Sequence, residues 1–220
     1  MLATAGVVEV VELRSRFGFM AFHGGSLEER TDVIAAAAAE QAGASYYGVL
    51  QPPDRQWHIP STEVGPDDSP ALARFLDHVE TVIAVHGYGR AGYWTTLLVG
   101  GGNRALADHV GRALGEALPH YEVATDLDRI PLGLRGLHAA NPVNLPPGGG
   151  VQLELPPRVR GNTPRCPAPG VDGLVPDARA LVEGLALAAS TWPMPVTPSQ
   201  PTSLQKPGPG PENCNKVVPD

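Results

Sequence analysis

Short apolar runs alternate along this chain with stretches of helical periodicity, and that alternation limits the fold more than any other feature. Val7 to Leu13, Phe17 to Phe22, Ser45 to Leu50, Thr81 to Val85, Tyr93 to Val99, Tyr121 to Thr125 and Gly148 to Leu155 read as strands. Asp32 to Gln41, an Ala-rich run closed by Gly43, reads as a helix, as do Pro70 to Val79, Asn103 to Leu118 and Pro176 to Ser190. Within the third of these, Leu106, Val110, Leu114 and Leu118 fall on one face. Gln51 to Ser69 is a polar loop. Strands that alternate with helices predict an α/β fold: a mixed, mostly parallel sheet with helices on both faces.

The 220 residues, 42% of them hydrophobic, suffice for one domain over residues 1–192. Residues 193–220 are proline-rich without apolar periodicity and read as a disordered tail. A formal net charge of −7 argues against nucleic acid or an anionic membrane as partner. No apolar run is long enough to cross a bilayer. The first residues carry Glu9 and no basic segment, so no signal peptide is expected. The expected protein is a monomer of the cytoplasm, or one released by lysis. Two cysteines, Cys166 and Cys214, exclude a Cys-rich zinc site, and the place of Cys214 in the tail argues against a structural disulfide.

Chemistry concentrates at the strand ends. His23 and Glu28 lie between the strand ending at Phe22 and the helix beginning at Asp32. His86 follows the strand Thr81 to Val85, 63 residues later, and Glu154 lies in Val151 to Leu155, a further 68 residues on. Carboxyl ends of strands are where open α/β sheets bind ligands. Two imidazoles and one carboxylate hold zinc with one position open, and a second carboxylate nearby can serve as a base. Each residue also has a plainer reading. Either histidine can be an ordinary hydrogen-bonded side chain, and Glu154 an exposed residue of an edge strand. Ser26-Leu27-Glu28-Glu29 matches a capping box, which would employ Glu29 at the helix start and leave Glu28 free. His58 reads as a loop residue without special role, and His138 as a turn residue able to approach the same cleft. Gly100-Gly101-Gly102-Asn103 reads as a tight turn rather than a phosphate loop, because no Gly-Lys-Ser/Thr follows.

Several short motifs, in order, resemble the poly-γ-glutamate hydrolase family, phage-associated zinc enzymes related to zinc carboxypeptidases. They are His23-Gly-Gly-Ser-Leu-Glu28 with Thr31, Trp57-His58-Ile-Pro-Ser61-Thr62, Val85-His86-Gly87-Tyr88, Gly101-Gly102-Asn103, Gly136-Leu-His138-Ala-Ala-Asn141-Pro-Val-Asn144 and Gly150-Val-Gln152-Leu-Glu154-Leu. The resemblance implies a zinc carboxypeptidase-like fold, zinc on His23, Glu28 and His86, and Glu154 as general base and acid in cleavage of γ-glutamyl amide bonds. The implied partner is an anionic γ-glutamyl polymer or peptide. A developing oxyanion calls for a cationic clamp, for which Arg90 is the candidate. Arg104, Arg135, Arg158 and Arg160 are available to bind substrate carboxylates. Two rival readings are a peptidoglycan peptide amidase using the same zinc site and a non-catalytic interaction module.

Overall fold

Among the described residues, seven strands form one sheet in the order β1-β3-β2-β4-β7-β5-β6. They are β1 (Val8–Glu12), β2 (Phe17–Gly25), β3 (Ser45–Gln51), β4 (Thr81–Gly87), β5 (Thr96–Val99), β6 (Glu122–Ala124) and β7 (Gly150–Leu155). The computed structural model describes residues 2, 4–164 and 166–194. The pairs β2–β3, β2–β4, β4–β7 and β5–β6 are parallel, whereas β1–β3 and β5–β7 are antiparallel. The sheet is therefore mixed and mostly parallel.

The alternation of β2 explains the layering. Phe17, Phe19 and Ala21 point into one core with α1 (Thr31–Ala42), α3 (Arg104–Ala117) and α4 (Pro176–Thr191). Met20 and Phe22 point into the other core, with α2 (Pro70–His78). Helices thus cover both faces. Full burial of a side chain such as Phe19 or Ile83 contributes about 1.5–3 kcal/mol each.

Local chemistry sets the helix ends. Gly43 closes α1 in a left-handed conformation (φ 61°), its N–H donating to the Ala39 and Glu40 carbonyls. Ser69 and Asn103 cap α2 and α3 by accepting from the N–H groups of Leu72 and Leu106 at 3.0 and 2.9 Å. β5 starts at Thr96, later than the expected Tyr93, because Tyr93 and Thr96 donate their N–H groups to turn carbonyls of Arg90 and Tyr93. The Gly100–Gly102 turn is committed to the fold. Its N–H groups donate to Gln152 O, Arg135 O and Asn144 Oδ1. Gly101 (φ 89°) lies so close to β7 that a Cβ would stand 2.4 Å from the Gly150 oxygen.

No helix among the described residues is long and apolar enough to cross a membrane. The tail expected from residue 193 lies, from 195 onward, outside the described residues, and so does Cys214. Among the described residues Cys166 has no disulfide partner.

Candidate active site

The carboxyl ends of β2, β4 and β7 open into a cleft of about 820 Å³. His86 and Glu154 are direct partners across the parallel β4–β7 ladder. Their strand neighbours Ala84 and Gln152 share that face, while Val85, Leu153 and Leu155 point into the opposite core.

His23 reaches the same place through a β-bulge. Register along β2–β3 shifts between Ala21 and Gly24, so two residues of β2 oppose one of β3. Strict alternation would send His23 to the side of Ala21; the extra residue re-aims it toward His86, whose ring centroid lies 5.1 Å away. Gly24 and Gly25 are the last residues of β2. Gly25 (φ 70°) packs so tightly that a Cβ would fall 2.4 Å from the Gln51 oxygen.

Glu28 arrives from the turn after β2. Its N–H donates to His23 O at 2.8 Å, folding the turn back over the strand. The Thr31 hydroxyl donates to Glu28 O at 2.8 Å. The expected capping box does not form. Helix α1 begins only at Thr31, after Arg30 in a left-handed conformation (φ 71°), and the Ser26 hydroxyl donates instead to Gln51 O. Burial, rather than capping, separates the two carboxylates: Glu28 is buried and Glu29 exposed.

The Glu28 carboxylate is the centre of the cluster. Oε1 lies 2.7 Å from His23 Nδ1 and 3.6 Å from His58 Nε2. Oε2 accepts from the Gly87 N–H at 2.7 Å and lies 3.4 Å from His86 Nδ1. Burial opposes ionisation of Glu28, yet hydrogen bonds and charge from His23 and His86 hold its pKa well below the usual carboxylate range. Burial acts to lower the His86 pKa, but the adjoining Glu28, and then Glu154, raise it to about 8. Glu154 is shifted upward, chiefly by burial; His86 opposes the shift and Glu28 adds to it.

This donor set fits a metal ion. One ligand atom each from His23, Glu28 and His86 lies within 4.8 Å of the others. The His23 Nε2 lies 2.9 Å from the Ile59 carbonyl, which can only accept, so Nε2 carries a hydrogen. Nδ1 of a neutral His23 then presents a lone pair to the Glu28 carboxylate, and two acceptors in contact require a proton or a metal ion between them. Nε2 of His86 is buried without a hydrogen-bond partner among the described residues. Two imidazoles with one carboxylate suit zinc.

A model of the family described as "Poly-gamma-glutamate hydrolase" matches residues 5–163, well over half of the chain. The chain belongs to the poly-gamma-glutamate hydrolase family. A bacteriophage poly-gamma-glutamate hydrolase of solved structure aligns over 83% of this chain and 87% of its own, with a TM-score of 0.68 and 21% identity. The structure "YNDL-apo (Zinc-free)" aligns over 85% of this chain and 91% of its own, with a TM-score of 0.68 and 20% identity. Both share the fold. A metallo-carboxypeptidase from Burkholderia cenocepacia is more remote, with a TM-score of 0.46 at 11% identity over 86% of this chain and 65% of that one. No curated protein matches the chain.

The hydrolase-family cleft also sorts the arginines. Arg90 is exposed and does not line it. Beyond Gly87 the chain follows Tyr88, whose hydroxyl donates to Thr96 O at 2.7 Å, and Arg90 is carried away toward the β5 side. Arg104 donates to the Val99 and Gly101 carbonyls and is structural. Arg158 sits over the Tyr121 ring in a separate groove of about 870 Å³ that holds none of the cluster residues. Buried Arg160 donates to Leu155 O and Glu29 O, and its guanidinium packs on Gly87, where a Cβ would lie 2.7 Å away. It ties the Glu28 turn to the end of β7 and sets a buried positive charge near Glu28 and Glu154. Arg135 alone among the five lines the cleft, its Nε donating to Ile130 O at 2.9 Å.

The structure gives His58 more than the sequence offered. Its ring centroid lies 4.6 Å from that of His23, the planes tilted by 39°, and it lines the cleft, as His138 also does. Gln152 and Asn141 went unnoticed as site residues. Gln152 donates to Glu154 Oε1 at 2.8 Å, and its position two residues before Glu154 on one strand was the signal available.

Proposed function

We propose that the protein is a zinc-dependent hydrolase that cleaves γ-glutamyl amide bonds of poly-γ-glutamate. The observation that carries this reading is the convergence of His23, Glu28 and His86 beside the buried carboxyl of Glu154, in one cleft of a chain belonging to this family. A zinc ion on those three residues would supply Lewis acidity toward the scissile carbonyl and toward water.

The chain's own groups do the rest. Glu154 takes the proton of the attacking water and returns it to the leaving amine. Burial shifts its pKa upward, which strengthens it as the base that accepts this proton. The Ile59 carbonyl fixes the tautomer of His23, and the Gly87 N–H fixes one oxygen of Glu28. Each γ-linked residue keeps a free α-carboxylate, and Arg135, which lines the cleft, is the proposed partner for one. Leu132 and Leu137, exposed at the rim, offer apolar surface to the methylene carbons of the polymer.

The test is to incubate the purified protein with poly-γ-glutamate, with and without a chelator, and follow polymer size. Chelator-sensitive shortening is expected. Intact polymer, with a peptidoglycan peptide cleaved instead, would transfer the site to the amidase reading.

A further inference from the structure

A line of three buried polar side chains runs from the loop before β7 to the carboxylate of Glu154. Asn141 Oδ1 accepts from the Val143 N–H at 3.2 Å. Asn141 Nδ2 donates to Gln152 Oε1 at 2.8 Å. Gln152 Nε2 donates to Glu154 Oε1 at 2.8 Å and faces the Leu134 carbonyl at 3.5 Å. All three residues are buried.

The direction of this chain is fixed at its far end. A backbone N–H can only donate, so the Asn141 atom facing Val143 is the oxygen, and its amide nitrogen faces Gln152. A donor on one side of the Gln152 amide and two acceptors on the other leave it one orientation. Gly136 (φ 65°) lets the loop close on this amide; a Cβ there would stand 2.6 Å from Gln152 Cβ.

We infer that Gln152, held by Asn141, is the positioning residue of the general base: it engages Glu154 Oε1 as an acceptor and leaves Oε2 to exchange the proton. The inference rests on Glu154 serving as base and acid in the proposed reaction. Neither amide touches a metal-cluster residue in the hydrogen bonds described, so their removal should spare metal binding. Groups that orient a catalytic side chain in this way typically cost about 10- to 100-fold in activity when lost.

Three substitutions, two of them also combined, test it by kcat, KM and zinc content on the zinc-loaded protein, with thermal unfolding to verify folding. Gln152→Met removes the donor at similar volume. Asn141→Asp keeps the acceptor for Val143 but loses the donor to Gln152 Oε1, so the Gln152 amide turns its oxygen toward Glu154. Each should lower kcat by about 10- to 100-fold with KM and zinc content near wild type. The double variant should be no worse than Gln152→Met, because the residues act in series. Glu154→Gln is the third. If it is inactive while folded Gln152→Met and Asn141→Asp keep wild-type kcat, the positioning role is overturned and the functional reading survives. If Glu154→Gln itself keeps full activity, the base lies elsewhere and the positioning role is overturned with it. Additive losses in the double variant would also overturn the series arrangement. Should Gln152→Met not fold, Asn141→Asp alone decides.

Discussion

Glu154 lies directly opposite His86 on the parallel β4–β7 ladder, so a candidate base and a candidate metal ligand are held at one level by backbone hydrogen bonds. Rigid strands, rather than a mobile loop, set their separation. The two roles can therefore be removed one at a time.

Glu154→Gln keeps shape and hydrogen bonding but loses basicity. It should retain zinc and lose about 10²- to 10⁴-fold in kcat. Metal analysis beside steady-state kinetics checks this, and undiminished hydrolysis would place the base elsewhere.

His86→Ala should lose metal and activity together, since it removes one of three clustered ligand atoms. A variant that still binds one zinc per chain with wild-type affinity would remove His86 from the metal site.

Zinc binding should depend on pH through His86. Its pKa is raised to about 8 in the metal-free fold, above the ordinary 6.5, so at neutral pH the ring holds a proton that a metal must displace. Zinc affinity should rise with pH and level off above about 8. Calorimetry in buffers of different ionisation enthalpy should register proton release at pH 7. For the metal-free protein the sign is opposite: the stabilising contribution of His86 is full below 6.5 and is lost as pH rises through about 8. A metal-free unfolding temperature that climbs over that interval would contradict the pairing with Glu28.

Arg135→Ala should weaken polymer binding more than turnover. A charge-assisted hydrogen bond contributes about 1.5–3 kcal/mol, so KM should rise about 10-fold or more, and less so at high salt. An unchanged KM would remove Arg135 from the substrate site.

Gly101→Ala should destabilise the fold by more than about 1 kcal/mol, because φ is 89° and a Cβ would stand 2.4 Å from the Gly150 oxygen. Denaturant unfolding measures this directly.

Much of the fold was legible because strands and helices differ in apolar period, and α2, α3 and β7 carry clear patterns. His86 and Glu154 stood out as polar groups at the ends of buried strands. His23 was legible as a residue, but the bulge that turns it toward His86 leaves no mark in composition or period. Glu28 was legible as the carboxylate beside His23, but the capping box that was to employ Glu29 does not form, and burial sets the two carboxylates apart instead. Arg90 followed His86 closely in sequence, yet the turn at Tyr88 separates them, whereas Arg160 comes back against Gly87 from far along the chain. Such long-range returns depend on loop paths that local sequence does not encode.

The central claim, that hydrolysis runs on one zinc ion at His23, Glu28 and His86, is tested most directly by zinc titration of the chelated wild-type protein. Poly-γ-glutamate shortening is measured at each step. Activity should be negligible without metal, rise in proportion to added zinc and level off at one ion per chain. Full polymer cleavage by the metal-free protein would contradict the account.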